Sequence, residues 1–248
     1  MDASTRFLTE EVWRALEDVT DPELDEPVAD LGFISQITCL EHAVTLTLRL
    51  PTYWCSPNFA YLMMEDLQRA IQRLPWVKEV RITLQDHESA EPLNRAIEQQ
   101  VPFAQAFHTA GDLDDLRRAF QEKAFYARQK RLIDGIVTAT GIDVVAWLPG
   151  RVRDVAAWAE RYEALRPLWR RYQTIVVQRN IAFDDPEAPV IVDAQGRPVA
   201  AQAWMRHWHS LRLVTLNMEA NTHLCRGLYQ TRYGPDHHPR EGDLPLLF

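Results

Sequence analysis

Residues 43–50 alternate between apolar and polar side chains, and no other feature constrains the fold of this chain as strongly. Side chains of a β-strand point to opposite faces in turn, so the alternation predicts a strand with one buried face. A second strand is predicted over residues 31–40, and the two residues between the strands, Glu41 and His42, suit a short hairpin. The apolar positions on the predicted buried face are Val44, Leu46, Leu48 and Leu50.

A helix is predicted to follow the second strand after a loop over residues 51–55. Serine is favoured as an N-cap and proline at the first helical position, so Ser56-Pro57 predicts the start of this helix. The helix should extend to about Arg73, and residues 77–84 then predict a third strand. The first third of the chain is therefore predicted to be a small α/β domain with a three-stranded, mainly antiparallel sheet.

The rest of the chain is predicted to be mainly helical, because its apolar residues recur at spacings of three and four. Residues 89–111 contain two prolines and are predicted to be a linker with short helical pieces. The β-branched runs at 175–177 and 190–192 predict a short strand pair. The predicted helices cover about residues 112–132, 155–169 and 201–229.

We therefore predict an α+β protein, since 248 residues suffice for two modest domains with their own cores. Residues 1–88 form the small α/β domain and residues 89–111 the linker. Residues 112–248 form a mainly helical C-terminal domain with the short strand pair and an irregular tail from Gly234 onward.

Acidic residues concentrate in the predicted first domain. Residues 1–88 hold 7 Lys and Arg against 16 Asp and Glu, a net charge of −9, whereas the remaining residues have a net charge of +1. An acidic domain repels phosphate groups, so nucleic acid and anionic membranes are not expected partners. No apolar run reaches about 18 residues, and the N-terminus lacks the apolar core of a secretion signal, so a cytoplasmic location is expected.

The three cysteines, Cys39, Cys55 and Cys225, are far apart and form no C-x-x-C pair. This count and spacing argue against a disulfide framework or a self-contained zinc site. The phosphate-binding glycine loops and the G-x-S-x-G turn of common enzymes are also missing, so no enzymatic activity is expected. One thiol supplies a single ligand, so any metal centre at one of these cysteines would need further ligands from elsewhere.

Four motifs of the first domain occur in a characteristic order. They are Asp21-Pro22-Glu23-Leu24, Asp30-Leu31-Gly32-Phe33-Ile34, the strand and loop from Leu46 through Pro51-Thr52 to Cys55-Ser56-Pro57, and Leu74-Pro75-Trp76-Val77. With the helices and strands around them, they resemble the PaaD/SufT-like family of iron–sulfur (metal–sulfur) cluster assembly domains over about residues 8–86.

This resemblance implies an accessory factor that assembles or inserts iron–sulfur or other iron centres and holds the iron or cluster only transiently. It also implies a functional cysteine at Cys55, near an acidic loop that contains Asp21 and Glu23. The chain departs from the family in two ways: residues 52–54 separate Pro51 from the cysteine, where the family often has a more compact spacing, and about 160 further residues follow the domain. This extension resembles that of members associated with di-iron monooxygenases, which makes such an enzyme a candidate client.

Cys55 directly precedes the predicted helix start, where unpaired N–H groups and the helix dipole favour an anion. Such a position favours the thiolate, the form of cysteine that binds metal. The alternative is a buried, inert cysteine that only fills space. Thr52 is a candidate for orienting the loop. The neighbouring Tyr53 and Trp54 need a surface to pack on, which either a client or the second domain would supply.

Two further groups of side chains offer metal ligands. Asp21 and Glu23 would supply oxygen atoms or hydrogen bonds to Cys55, although aspartate before proline is equally typical of a turn. Glu219 and His223 are four residues apart on the predicted last helix, so they would share one face, with Cys225 close in sequence. The alternative for this second cluster is an ion pair beside a packed apolar stripe.

The sequence thus predicts a non-catalytic assembly factor whose partner is a client metalloprotein, and it is compatible with a homo-oligomer. The alternative is a metal-free adaptor or folding chaperone for an oxygenase complex. The two hypotheses differ at one residue: replacing Cys55 by alanine would abolish client maturation under the first and leave it intact under the second.

Overall fold

The structure is a computed structural model that describes residues 3–109, 111, 113–148 and 150–234. The chain divides into two compact units. The first unit extends to Arg117 and resumes at Asn221, and the second extends from Arg118 to Ala220. The first unit contains the sheet and the second is helical, so the predicted α+β fold class is confirmed.

The first unit begins with a helix, followed by a strand pair and a crossover helix that leads to a third strand. Its elements are α1 (Ala3–Leu16), β1 (Ile34–Leu40), β2 (Ala43–Arg49), α2 (Pro57–Gln72), β3 (Glu79–Gln85), α3 (Ala90–Glu98) and α4 (Phe103–Ala106). The last part of a long C-terminal helix completes this unit. The predicted start of α2 is confirmed, with Ser56 as N-cap and Pro57 in the first turn.

The sheet has the order β1–β2–β3, with β2 in the centre. β1 and β2 are antiparallel, and Leu40 pairs with Ala43 across the predicted hairpin. β2 and β3 are parallel, with Ala43 opposite Glu79 at one end. The predicted buried face of β2 is confirmed, because Val44, Leu46, Leu48 and Leu50 are all buried.

The sheet is therefore mixed, and the prediction of a mainly antiparallel sheet needs correction. α2 returns the chain from the end of β2 to the end of the sheet where β2 began. A strand that follows such a helical crossover lies parallel to the strand before it. The sequence of β3 did not indicate whether it pairs parallel or antiparallel with β2, because apolar and polar residues alternate in the same way in both arrangements.

Residues 89–111 belong to the first unit and are not a linker. They form α3 and α4, whose apolar residues Leu93, Ile97 and Phe103 are buried in the same core as β2. The two prolines that suggested a linker start helices instead: Pro92 lies in the first turn of α3, and Pro102 is the N-cap of α4. Proline is tolerated at these positions because the N–H it lacks would have no partner there.

The second unit is built from helices around an aliphatic and aromatic core. Its elements are α5 (Asp114–Thr140, which starts in the first unit), α6 (Val144–Trp147), α7 (Val152–Arg161), α8 (Leu165–Gln178), a 3₁₀ turn (Ala201–Ala203) and most of α9 (Trp204–Tyr233). None of the helices in the described part of the chain combines the length and apolar character that a membrane crossing needs.

The predicted strand pair of the second region is wrong. Residues 175–177 lie within α8, and residues 190–192 are buried but form only an isolated bridge. In α8, Trp169, Tyr172 and Val176 recur at helical spacing and are buried together. Burial of this stripe outweighs the weak preference of β-branched residues for strands.

The long helix predicted over about 201–229 is present as α9, but it does not belong to a single unit. Its residues from Asn221 onward are part of the first unit, so the predicted domain boundaries at 88 and 111 differ from the observed division. The predicted irregular tail after Gly234 lies outside the described residues.

Candidate functional site

Cys55 lies at the end of the loop between β2 and α2, two residues ahead of the first helical residue, Pro57. The carbonyl of Ser56 accepts hydrogen bonds from the N–H groups of Phe59 (3.0 Å) and Ala60 (3.1 Å), as expected for an N-cap residue. The Cys55 side chain is half-buried, and it packs against the core on one side. The thiol is therefore reachable and lies beside a helix N-terminus, where the dipole favours negative charge.

The hydroxyl of Thr52 is the polar neighbour of the thiol, with its Oγ1 3.1 Å from Sγ of Cys55. Either atom is able to donate in this pair while the thiol is protonated. A thiolate has no proton, so in the deprotonated form of Cys55 the hydroxyl is the atom that would donate. Thr52 therefore occupies the position expected of a residue that orients the cysteine.

His87 makes a hydrogen bond to the backbone of the Cys55 loop, a contact that was not predicted from the sequence. Its Nε2 lies 2.7 Å from the carbonyl oxygen of Cys55, and its Nδ1 accepts a hydrogen bond from the N–H of Ser89 at 3.1 Å. Because Nδ1 accepts, the ring proton is on Nε2, which donates to Cys55. Burial lowers the pKa of His87, so the neutral ring that makes both bonds is favoured.

The next residue adds a second anchor, because the N–H of Glu88 donates to the carbonyl of Tyr53 at 2.7 Å. The side chains of Tyr53 and Trp54 nevertheless project outward and are 49% and 73% exposed. The loop thus has a fixed backbone and two large aromatic side chains in solvent next to the thiol.

Asp21 is buried and has the turn role that the sequence suggested as the alternative. Its Oδ1 accepts hydrogen bonds from the N–H groups of Glu23 (2.8 Å) and Leu24 (3.0 Å). Burial raises the pKa of Asp21 to about 6, although these two hydrogen bonds act in the opposite direction. Glu23 is half-buried, and its Oε1 lies 3.5 Å from the side-chain amide of Asn221.

The predicted cluster of Glu219, His223 and Cys225 does not form, because Glu219 and His223 are exposed whereas Cys225 is half-buried. Two residues correspond to about 200° of rotation around a helix, so Cys225 and His223 point in nearly opposite directions. In the part of the chain that the structure describes, no three His, Cys, Asp or Glu side chains are arranged to hold a metal ion.

Cys225 instead packs against the core of the first unit. Burial raises the pKa of Cys225 to about 11, and the negative charges of Asp21, Cys55 and Glu23 add to the increase. The sequence had assigned Cys225 to a cluster with Glu219 and His223, and the described residues do not form that cluster. The third cysteine, Cys39, is buried in β1.

Arg232 ties the end of α9 to the strand ends beside the loop and was also missed by the sequence analysis. Its guanidinium donates to the carbonyl of Leu50 at 3.2 Å and to the carbonyl of Asp86 at 2.6 Å. These two carbonyls directly follow β2 and β3. The base of the Cys55 loop is thus fixed by a residue 182 positions away in sequence from Leu50.

Comparison with known proteins finds a family similarity for the segment that contains Cys55. Residues 9–84 match the family described as iron–sulfur cluster assembly protein. The comparisons with curated proteins and with solved structures gave no match. The matched segment contains all three strands, α2 and Cys55, whereas Cys225 lies outside it. The resemblance inferred from the four motifs is therefore confirmed: residues 9–84 are similar to the iron–sulfur cluster assembly family.

Proposed function

We propose that Cys55 transiently binds iron or an iron–sulfur cluster and passes it to a client metalloprotein, without enzymatic activity of its own. A role in iron–sulfur cluster assembly follows from the family of residues 9–84. The observation that carries the finer proposal is the placement of the Cys55 thiol. It is half-buried, lies at the start of α2 and has the Thr52 hydroxyl 3.1 Å away.

The surroundings of Cys55 are better suited to an iron centre that is bound and passed on than to a permanent cofactor. Thiolate is the ligand that iron–sulfur clusters prefer, and the Cys55 sulfur lies beside a helix start with the Thr52 hydroxyl 3.1 Å away. No three potential ligand residues of the described chain surround a metal position, so a bound iron centre would take further ligands from outside. A centre held by few protein ligands is more easily passed on than one in a closed site.

Tyr53 and Trp54 support a client that docks beside the thiol. Both precede Cys55 directly, and both are exposed although their backbone is anchored by Glu88 and His87. Exposed aromatic side chains on a fixed loop lose little entropy on binding and are enriched at protein interfaces. A client that covers them would meet the Cys55 thiol at the same time.

Anaerobic iron reconstitution tests the metal role. Wild-type protein, Cys55→Ser and Cys39→Ala are incubated with ferrous iron and sulfide, and visible absorbance and iron content are measured after desalting. We expect Cys55→Ser to lose the bound iron and Cys39→Ala, whose thiol is buried in β1, to retain it. If Cys55→Ser binds as much iron as wild type, the metal-free adaptor is the better description.

The client is tested separately by transfer from the loaded protein. The resemblance of the long extension suggests a di-iron monooxygenase, so an iron-free di-iron subunit and an apo-ferredoxin are offered as alternative acceptors. We propose the di-iron subunit as the preferred acceptor, and a preference for the ferredoxin would exclude it. Trp54→Ala should retain iron but transfer it more slowly, because Trp54 is the most exposed side chain of the loop.

A further inference from the structure

The segment that follows β3 leaves the sheet beside the loop that carries Cys55. β2 and β3 are parallel, and their last residues, Arg49 and Gln85, are paired. Parallel strands end at the same edge of a sheet, so the loop after β2 and residues 86–88 after β3 start side by side. The topology of the sheet therefore brings His87 next to Cys55, although 32 positions separate them in sequence.

Two consecutive residues of this segment bind the backbone of the Cys55 loop. Nε2 of His87 lies 2.7 Å from the carbonyl oxygen of Cys55, and the N–H of Glu88 donates to the carbonyl of Tyr53 at 2.7 Å. Asp86, directly before them, has a φ of 54°, in the left-handed region that aspartate tolerates better than most residues. The chain turns at Asp86, and the side chain of His87 is only 5% exposed. The end of β3 thus places a buried ring against the loop.

Both ring nitrogens of His87 contact main-chain groups, so the ring is fixed in one orientation. Nδ1 accepts a hydrogen bond from the N–H of Ser89 at 3.1 Å, and Nε2 carries the proton and donates to Cys55. The contact with Ser89 is local and belongs to the turn ahead of α3, whereas the contact with Cys55 reaches a different loop. A substitution is therefore able to remove one contact and keep the other.

The bond to the Cys55 carbonyl acts on the peptide group that joins Cys55 to the start of α2. The carbonyl of the next residue, Ser56, accepts the first bonds of the helix, from Phe59 and Ala60. Because the helical bonds begin at Ser56, the Cys55 carbonyl needs a partner from outside the helix. His87 supplies that partner and fixes the orientation of the backbone from which the thiol projects.

We propose that His87 is a positioning residue of the iron site: its bond to the Cys55 carbonyl keeps the thiol beside the start of α2, where the iron cargo is bound and passed on. This inference rests on the proposed function of Cys55, and His87 lies just outside the segment, residues 9–84, that matches the family. His87 is not itself a ligand, because both of its ring nitrogens already have partners.

Two substitutions separate the contacts of the ring. In His87→Gln, the side-chain amide nitrogen reaches about as far as Nε2 and still donates to the Cys55 carbonyl. In His87→Asn, the side-chain oxygen takes the place of Nδ1 and accepts from the amide of Ser89, as asparagine does in turns, but the side chain is too short to reach Cys55. His87→Ala removes both contacts.

The first measurement is the retention of iron by the full-length protein. Each variant is reconstituted anaerobically with ferrous iron and sulfide, desalted and mixed with EDTA while the visible absorbance is followed. We expect EDTA to remove iron from His87→Asn and His87→Ala at least about tenfold faster than from wild type, since residues that orient a metal ligand contribute about 10–100-fold to affinity. His87→Gln should remain close to wild type.

The second measurement needs no metal, because it follows the alkylation of Cys55 by iodoacetamide in the metal-free protein by mass spectrometry. The Cys55 side chain is half-buried against the core, so release of its carbonyl should expose the thiol. We expect alkylation to be about fivefold faster in His87→Asn and His87→Ala, the typical effect of one lost hydrogen bond on an equilibrium. His87→Gln should again resemble wild type.

His42→Ala is the matched control. His42 is an exposed histidine of the same unit, and its Nδ1 also lies 2.9 Å from a backbone carbonyl, that of Trp76. This contact is outside the Cys55 loop, so the variant should match wild type in both measurements.

The pattern across the variants separates this inference from the proposed function. If His87→Asn matches wild type, or if His87→Gln behaves like His87→Ala, the positioning role is overturned, and the role of Cys55 stands as long as Cys55→Ser loses the iron. If wild type itself takes up no iron, the proposed function fails, and the alkylation rates still decide whether His87 positions the thiol.

Wild-type protein alone provides a further measurement, which does not depend on the folding of any variant. In protein labelled with ¹⁵N at histidine, NMR correlations within each ring distinguish a nitrogen that carries a proton from one that does not. We expect Nε2 of His87 to carry the proton and Nδ1 to have none. A proton on Nδ1 with a bare Nε2 would overturn the proposal, because Nε2 would then have nothing to donate to Cys55.

Discussion

At the scale of single residues, the Asp21 carboxyl makes the native state sensitive to pH. Its pKa is raised from 3.8 to about 6 by burial. A carboxyl whose pKa is higher in the folded than in the unfolded state binds its proton more tightly when folded. The ionised form therefore destabilises the native state above about pH 6, and this cost disappears as the pH falls toward 4. A shift of about two pKa units corresponds to about 3 kcal/mol.

Asp21→Asn removes the charge and keeps an oxygen that can accept from the amides of Glu23 and Leu24. We expect the variant to be more stable than wild type at pH 7 by up to about 3 kcal/mol, with a difference that shrinks toward pH 4. Urea unfolding in the presence of a chelator, at several pH values, measures this difference. Glu98→Gln changes an exposed carboxylate of the same unit and is the control. A difference that does not change with pH would contradict the prediction.

The residues of the site could be predicted only where they belong to local motifs. Cys55 and Thr52 share one loop, and Asp21 with Glu23 shares another, so the family resemblance carried by these local motifs could single them out. His87 contacts the loop from 32 positions away, and its sequence context is an ordinary strand end. The position of Cys225 depends on the packing of a helix, which the sequence pattern does not report. These contacts join residues that are far apart in the sequence, whereas the patterns of a single sequence report only on neighbouring residues.

At the scale of helices and strands, the predictions succeeded where one face is buried and failed where proline or β-branched residues were interpreted alone. The alternation of β2 and the Ser56-Pro57 start of α2 each depend on local chemistry and were confirmed. Residues 175–177 were misassigned because the helical apolar stripe of α8 was given less weight than valine content. In residues 89–111 short helices were predicted, but the prolines led to a linker and not to helices packed in the first unit. In both segments, burial of the apolar residues at helical spacing determines the observed helix.

Replacing two of the glycines by alanine is expected to change the free energy of unfolding in opposite directions. Gly32 has a φ of 77°, in the left-handed region, between the acidic loop and β1. Gly227 lies inside α9, and apart from the neighbouring backbone of the helix itself nothing lies within 4 Å of the position that a Cβ would take. Gly32→Ala should destabilise the protein by about 1–2 kcal/mol, because an L-residue is strained at that φ. Gly227→Ala should stabilise it by about 0.5–1 kcal/mol through helix propensity.

Urea unfolding of both variants beside wild type measures these differences. The glycine interpretation would be wrong if the two substitutions changed the free energy of unfolding in the same direction. Gly227 thus controls for any general effect of an added methyl group.

At the scale of the whole molecule, the assembly domain is completed by a segment from the far end of the chain. The first unit combines residues up to Arg117 with residues from Asn221 onward. The periodicity of α9 correctly predicted a helix with one buried face, but a stripe does not specify what covers it. A division of the sequence into consecutive domains therefore could not place Arg232 at the base of the Cys55 loop.

This discontinuous unit predicts that a single residue of α9 supports the stability of the assembly domain. Tyr229 is buried against Phe33, whereas its neighbour Leu228 is 39% exposed. Tyr229→Ala should destabilise the first unit by about 3 kcal/mol, as expected for a buried aromatic residue, and Leu228→Ala should change its stability by less than about 1 kcal/mol.

Hydrogen exchange of the amides in β2 reports on this unit in the full-length protein, because these amides should be protected until the unit opens. We expect faster exchange in Tyr229→Ala than in Leu228→Ala and wild type. Equal exchange in all three proteins would show that residues 9–84 are stable without α9. The last part of α9 would then pack against the domain without being needed for its stability.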